Sequence, residues 1–245
     1  MTILSPSRRL AFVHIQKCGG SSVEIAFARR QRWDDLVLGS TKLGEAIAPH
    51  YKQALGLYKH NTALELREIV GAELWSDWTS VALVRRPDKI YQSYYKWTHA
   101  TIERHLAANK TTRQELLDEL DRPRQTPSWR ALSWGHFQES LRARDFSDYA
   151  RRLMARKAYA RLSRYVCDKQ GERIVDRVYK LEELERFEQE FGQLIGEPDF
   201  RMPHENKGKS LPASALRWEP DTLAEFTALH AEEYERFGYE PPVPS

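Results

Sequence analysis

Two apolar runs in this chain each end in a charged turn, and that pairing narrows the possible folds more than any other feature. Residues 12–22 read Phe12-Val13-His14-Ile15-Gln16-Lys17-Cys18-Gly19-Gly20-Ser21-Ser22. A short apolar strand feeds a lysine, two glycines and two hydroxyls. Glycine permits the reversal that brings successive backbone N–H groups toward a phosphate or sulfate. The helix expected next, from about Ser22 to Arg30, would add its positive N-terminal end. A Walker A loop places its lysine after the last glycine. Here Lys17 precedes Gly19 and Gly20, so the ATPase and kinase signature is absent.

The second run is Val81-Ala82-Leu83-Val84-Arg85-Arg86-Pro87-Asp88. Arg85 is expected at the carboxyl end of this strand. Pro87 suits the first turn of a helix, where its missing N–H costs nothing. Ser93 falls on that helix, eight residues after Arg85. Arg85 and Ser93 are expected to face one cleft and clasp a second anion, with the guanidinium supplying a fork of donors.

Alternation of strands and helices along the chain implies an α/β fold with a central, mostly parallel sheet flanked by helices. Strands are expected at Leu10–Ile15, Ser80–Val84 and Arg173–Leu181. Helices are expected after each turn motif, at Ala63–Val70 ahead of Gly71, at Glu182–Ile195 ahead of Gly196, and at Pro220–Phe237. Asp34 to Ala54, with Gly39, Gly44 and Pro49, reads as loop. On the helix after Pro87, Ile90, Tyr94 and Trp97 share one face. The chain is expected to form a single domain over 1–245, with a polar helical and loop insert at about 99–130 that could act as a lid. In such sheets ligands bind beyond the carboxyl ends of the strands, where both turn motifs fall.

Composition adds bounds. The 245 residues carry a formal net charge of +3, too slight to argue for nucleic acid. Two cysteines are too few for a secreted disulfide scaffold, and Cys18 sits inside the anion loop. Both read as reduced and the compartment as cytoplasmic. No apolar run approaches a membrane span, and the segment before the first strand has no signal-type apolar core. No His/Cys/Asp/Glu set has metal-ligand spacing. Six basic residues between Arg151 and Arg164 form either a solvated helix face or a stripe for a polyanion.

The motifs together resemble the sulfotransferases that use 3′-phosphoadenosine 5′-phosphosulfate (PAPS), with the nearest likeness to the glycan 2-O-sulfotransferase branch and its bacterial relatives. The likeness rests on His14, Ile15, Lys17, Gly19, Gly20 and Ser22 in the first motif and on Arg85, Pro87 and Ser93 in the second. It extends to Lys59-His60-Asn61-Thr62-Ala63, to Asp176–Leu184, to Pro203-His204-Glu205-Asn206-Lys207 and to Phe237-Gly238-Tyr239. The chain departs from the family pattern at Gln16, Cys18, Ser21 and Arg86. The resemblance implies that Lys17, Cys18, Gly19, Gly20, Ser21 and Ser22 hold the 5′-phosphosulfate and that Arg85 and Ser93 hold the 3′-phosphate. It implies a metal-free transfer of a sulfuryl group to an acceptor hydroxyl, on a carbohydrate by analogy, with the bisphosphate nucleotide as product. It makes Lys17 and His60 the catalytic pair, His60 taking the hydroxyl proton as a histidine titrating near neutral pH would. His50, His99 and His136 are the other candidate bases, and His14 reads as a packing residue at the strand end. Two other classes fit the anion loops: a nucleotide-dependent phosphotransferase, which lacks its metal-holding hydroxyl because Cys18 follows Lys17, and a non-catalytic binder of a phosphorylated ligand.

Overall fold

Leu10, Ala11, Phe12 and Val13 are all buried, as are Val81 to Val84, so both apolar runs lie in the interior as strands covered on each side. The computed structural model describes residues 2–122, 127–157, 161–203 and 211–243. In chain order its elements are β1 (Ile3–Ser5), β2 (Leu10–Val13), α1 (Gly20–Ala28), β3 (Leu36–Val37), α2 (Lys42–Leu55), α3 (Ala63–Val70), α4 (Ala72–Asp77), β4 (Thr79–Val84), α5 (Pro87–Asn109) and α6 (Arg113–Asp121). There follow α7 (Gly135–Arg142), α8 (Phe146–Ala155), α9 (Leu162–Val166), β5 (Arg177–Lys180), α10 (Leu184–Ile195), α11 (Pro220–Leu229) and α12 (Ala231–Arg236). The chain divides into two compact units, Met1–Arg85 with Ala160–Asn206, and Arg86–Tyr159 with Lys207–Ser245.

The first unit holds the sheet, in the order β3-β1-β2-β4-β5 among the described residues. β2, β4 and β5 run parallel, with Leu10 opposite Thr79 and Val81 opposite Arg177. β1 and β3 add an antiparallel edge. The parallel centre aligns the carboxyl ends of β2, β4 and β5 on one edge. Helix α10 packs by its apolar face: Phe191 meets Phe12 of β2 edge-on at 6.1 Å and stacks on Phe187 at 5.0 Å, with Phe200 beside it at 5.1 Å. Burying aromatic rings of this size is worth about 1.5–3 kcal/mol each, the largest single apolar contribution in such a core. Asp176 accepts from both the N–H and the hydroxyl of Ser80, pinning the entry to β5 against β4.

The second unit is helical. Ile102, Leu116, Leu132, Phe137 and Leu141 form its apolar cluster. A capping box of Thr112 and Glu115 starts α6, each side chain satisfying the other's backbone N–H. The polar stretch expected as an insert is thus largely regular helix, since α5 runs on to Asn109.

Three expectations change. The segment read as loop contains β3 and the 14-residue α2, capped by Thr41 through the N–H of Gly44. The expected last helix is two helices, broken at His230. On α5, Ile90 and Tyr94 are buried but Trp97 is exposed. Residues His204 to Lys207 of the C-terminal likeness lie outside the described residues. Among the described residues no helix is long and apolar enough to cross a membrane.

Candidate functional site

The turn after β2 is built by backbone geometry. Cys18 N–H donates to Ile15 O at 3.4 Å, and the N–H groups of Ser22 and Val23 both turn back to Gly19 O. Lys17 and Gly19 hold φ angles of 63° and 84°. Glycine adopts this left-handed region freely, whereas lysine does so at a cost of about 1–3 kcal/mol. Helix α1 begins at Gly20, two residues earlier than its expected start, and Gly19 offers no side-chain cap. Its first-turn N–H groups therefore form the positive end that an anion would meet.

Contact constrains both glycines as well, firmly at Gly20 and less at Gly19, where the neighbour is the end of a flexible leucine side chain. A Cβ on Gly19 would lie 2.9 Å from Leu181, just past β5. A Cβ on Gly20 would lie 2.4 Å from the His14 ring. Gly20→Ala should therefore destabilise the fold by about 1–3 kcal/mol, the usual cost of overpacking, read as a lowered midpoint in chemical denaturation.

Positive charge gathers at this turn. Arg85, directly after β4, donates from its guanidinium to Lys17 O at 3.3 Å. Lys59 donates to Ser40 Oγ at 3.3 Å. Burial, then the charges of Arg85 and Lys59, lower the Lys17 pKa to about 8. Arg85 thus sits on the anion loop itself. Lys59, present in the sequence as His60's neighbour, is the cation that motif reading left without a role. Its signal was adjacency to a candidate base. Cys18 donates its thiol to Gln16 O, and burial pushes its pKa far up, so it is no nucleophile.

His60 lies in the turn between α2 and α3. The turn is rigid: Asn61 takes the N–H of Tyr58 on Oδ1 at 2.6 Å, and Thr62 and Glu65 close a capping box on α3. His60 Nδ1 lies 3.2 Å from His14 O. A carbonyl only accepts, so Nδ1 carries the hydrogen and Nε2 keeps its lone pair. The His14 and His60 rings meet edge-on at 4.7 Å and 83°. Burial and the neighbouring His14 hold the His60 pKa down to about 3, against the pull of the Nδ1–H bond. The expectation that His60 titrates near neutral pH is thus corrected: the ring is neutral at neutral pH, with its hydrogen on Nδ1 and Nε2 able to accept.

The remaining candidates are placed elsewhere. His50 is exposed on α2. His99 and His136 belong to the second unit, where His136 packs among Tyr94, Trp97 and Trp134. Ser93 lies in the second turn of α5, half-buried, in that same unit. Arg86 pairs with buried Asp88 at 3.1 Å, and Asp88 also accepts from Tyr234 OH. Arg151, Arg152 and Arg156 of the basic run pair with Glu219, Asp148 and Glu139. Those pairs fit a solvated helix face, not an open stripe. Among the described residues no group of three or more His, Cys, Asp and Glu side chains is placed to hold a metal ion.

No protein-family model matches the chain, and no curated protein matches it. Among solved structures it is similar to the crystal structure of a sulfotransferase from Alicyclobacillus acidocaldarius, at 17% identity over 95% of this chain and 96% of that one, with a TM-score of 0.34. At that overlap the likeness carries no weight for the site, and the functional reading rests on the residues described above.

Proposed function

We propose that this chain is a sulfotransferase that moves the sulfuryl group of PAPS to an acceptor hydroxyl, residues 1–245 acting as one catalytic domain in the cytoplasm. The observation that carries the reading is the meeting of Lys17, Arg85 and neutral His60 at the carboxyl edge of β2 and β4. The donor set suits a phosphosulfate: backbone N–H groups of an uncapped helix start, a lysine whose charge is costly until an anion arrives, and an arginine fork. The loop Lys17–Ser22 takes the 5′-phosphosulfate, and Arg85 and Ser93 take the 3′-phosphate. The acceptor oxygen attacks sulfur as the bond from sulfur to the bridging oxygen breaks. His60 Nε2 receives the hydroxyl proton, and Lys17 offsets the negative charge left on the bridging oxygen. Positioning and electrostatics supply the catalysis, as in phosphoryl transfer. The likeness of the motifs to glycan enzymes favours a carbohydrate acceptor.

Calorimetry tests the donor assignment. The 3′,5′-bisphosphate nucleotide should bind at least about tenfold more tightly than AMP, since a second charged clasp is worth upward of 1.4 kcal/mol. Equal affinities would remove Arg85 and Ser93 from the reading. Transfer of labelled sulfuryl from PAPS across a panel of sugars then identifies the acceptor.

A further inference from the structure

Behind the turn lies a buried polar pair that sulfuryl transfer does not itself require. His14 is 3% exposed and Glu24, on α1, is fully buried. The His14 Nδ1–H donates to the Glu24 carboxylate. Placing a carboxylate and an imidazole in an apolar interior is costly unless each satisfies the other, and apolar residues of like volume would serve packing as well. His14 makes three further contacts, two through its ring and one through its backbone. It is wedged against the start of α1, where only glycine leaves room for it. It meets the His60 ring edge-on. Its own backbone carbonyl takes the His60 Nδ1–H. One residue thus touches both the helix start that forms the anion site and the proposed base.

We propose that His14, clamped by Glu24, is a positioning residue that holds the His60 ring in one orientation, with Nε2 bare, and ties that orientation to the anion loop. The inference rests on the sulfotransferase reading for its catalytic consequence but not for its geometry. The Nδ1–H bond fixes the tautomer, and the clamped imidazole edge fixes the ring plane and keeps water from the inner face of His60. Outer partners that orient a functional histidine in this way typically matter by about 10–100-fold. The charged and titratable groups bearing on His60 are His14 and Lys17 from the turn after β2 and Lys59 from its own segment, with Glu24 behind His14.

The test replaces both buried partners together, His14→Leu with Glu24→Leu, in the full chain. Exchanging both members of a hydrogen-bonded pair for apolar groups of similar volume is close to neutral for stability, so the variant should fold. Two-bond 1H–15N spectra then read the His60 ring. The parent should show one protonated Nδ1, one bare Nε2 and no titration down to about pH 4. The double variant keeps the backbone carbonyl at position 14 and hence the Nδ1–H tautomer, but without the clamped ring edge its His60 resonances should broaden and its midpoint should rise above the parent's. Its turnover should fall about 10–100-fold, while affinity for the bisphosphate nucleotide stays within about threefold. A double variant whose His60 keeps the parent line widths and titration overturns the proposal and leaves His14 and Glu24 as structural. Should the double variant not fold, Glu24→Gln is read in its place. It keeps an acceptor for His14 but removes the charge, and an unchanged His60 titration there counts against the clamp. The spectra need no sulfate donor, so a chain that transfers no sulfate still decides this question separately.

Discussion

Replacing His60 with alanine should slow turnover about 10²–10⁴-fold and leave affinity for the bisphosphate nucleotide nearly intact, the pattern of a lost general base. The pH dependence follows from its environment. A base works deprotonated, and burial with His14 nearby places the His60 pKa at about 3 in the free protein. The acidic limb of kcat/KM should therefore lie well below the value of 6.5 for an ordinary histidine. Activity should persist at pH 5. The limb of kcat should sit higher than that of kcat/KM, because the bound donor's negative charge favours the protonated ring. A His60→Ala enzyme that turns over like the parent at neutral pH would transfer the role to another histidine. The same shift bears on stability: the unfolded chain binds the proton first, so stability should decline as pH falls from about 6.5 toward 3, and that decline should be smaller in His60→Ala.

Lys17→Ala should reduce turnover by about 2–4 kcal/mol of barrier, as loss of a donor to a developing oxyanion does. In the proposed reaction Lys17 would act where charge appears, while the 3′-phosphate that Arg85 would hold is equally charged before and during it. Arg85→Ala should therefore act mainly on donor binding. Lys17 also carries a proton linkage. Its pKa is lowered to about 8 in the free protein, and an anion beside it raises that value. Nucleotide binding near pH 8 should take up protons, and affinity should weaken as pH rises above about 8. Calorimetry in buffers of different ionisation enthalpy checks both points. Binding that takes up no proton would place the phosphates away from Lys17.

The parts of this site that depend on local chemistry were readable from the sequence. Lys17-Cys18-Gly19-Gly20 after an apolar run, and Arg85-Arg86-Pro87 after another, declare a strand, a turn and a helix start whatever surrounds them. Tertiary proximity was not readable. His14 looked like a strand-end packing residue because nothing local marks Glu24, ten positions on, as its partner. The suppression of the His60 pKa depends on burial and on a ring 46 residues away in the chain. Helix α2 was hidden by Gly44 and Pro49, which read as breakers. Gly44 is there because a Cβ would lie 2.5 Å from Val37 O, a packing reason that imitates a turn signal. Strand β1, three residues long, is too short for any periodicity to register. The division of the last helix at His230 likewise has no glycine or proline to announce it.

Lys17 sits in a left-handed backbone conformation and carries a charge that its surroundings resist. Each property alone is met easily: glycine suits the backbone, and an exposed lysine keeps its proton. Their combination sets foldability against purpose at a single position. A screen that selects only for thermal robustness should drift there toward glycine, relaxing the turn and removing the buried ammonium together. Such a protein would be sturdier and would lack the ammonium that the proposed chemistry uses. Residue 17 is thus a position where a hardier version of this chain and the proposed chemistry ask for different residues.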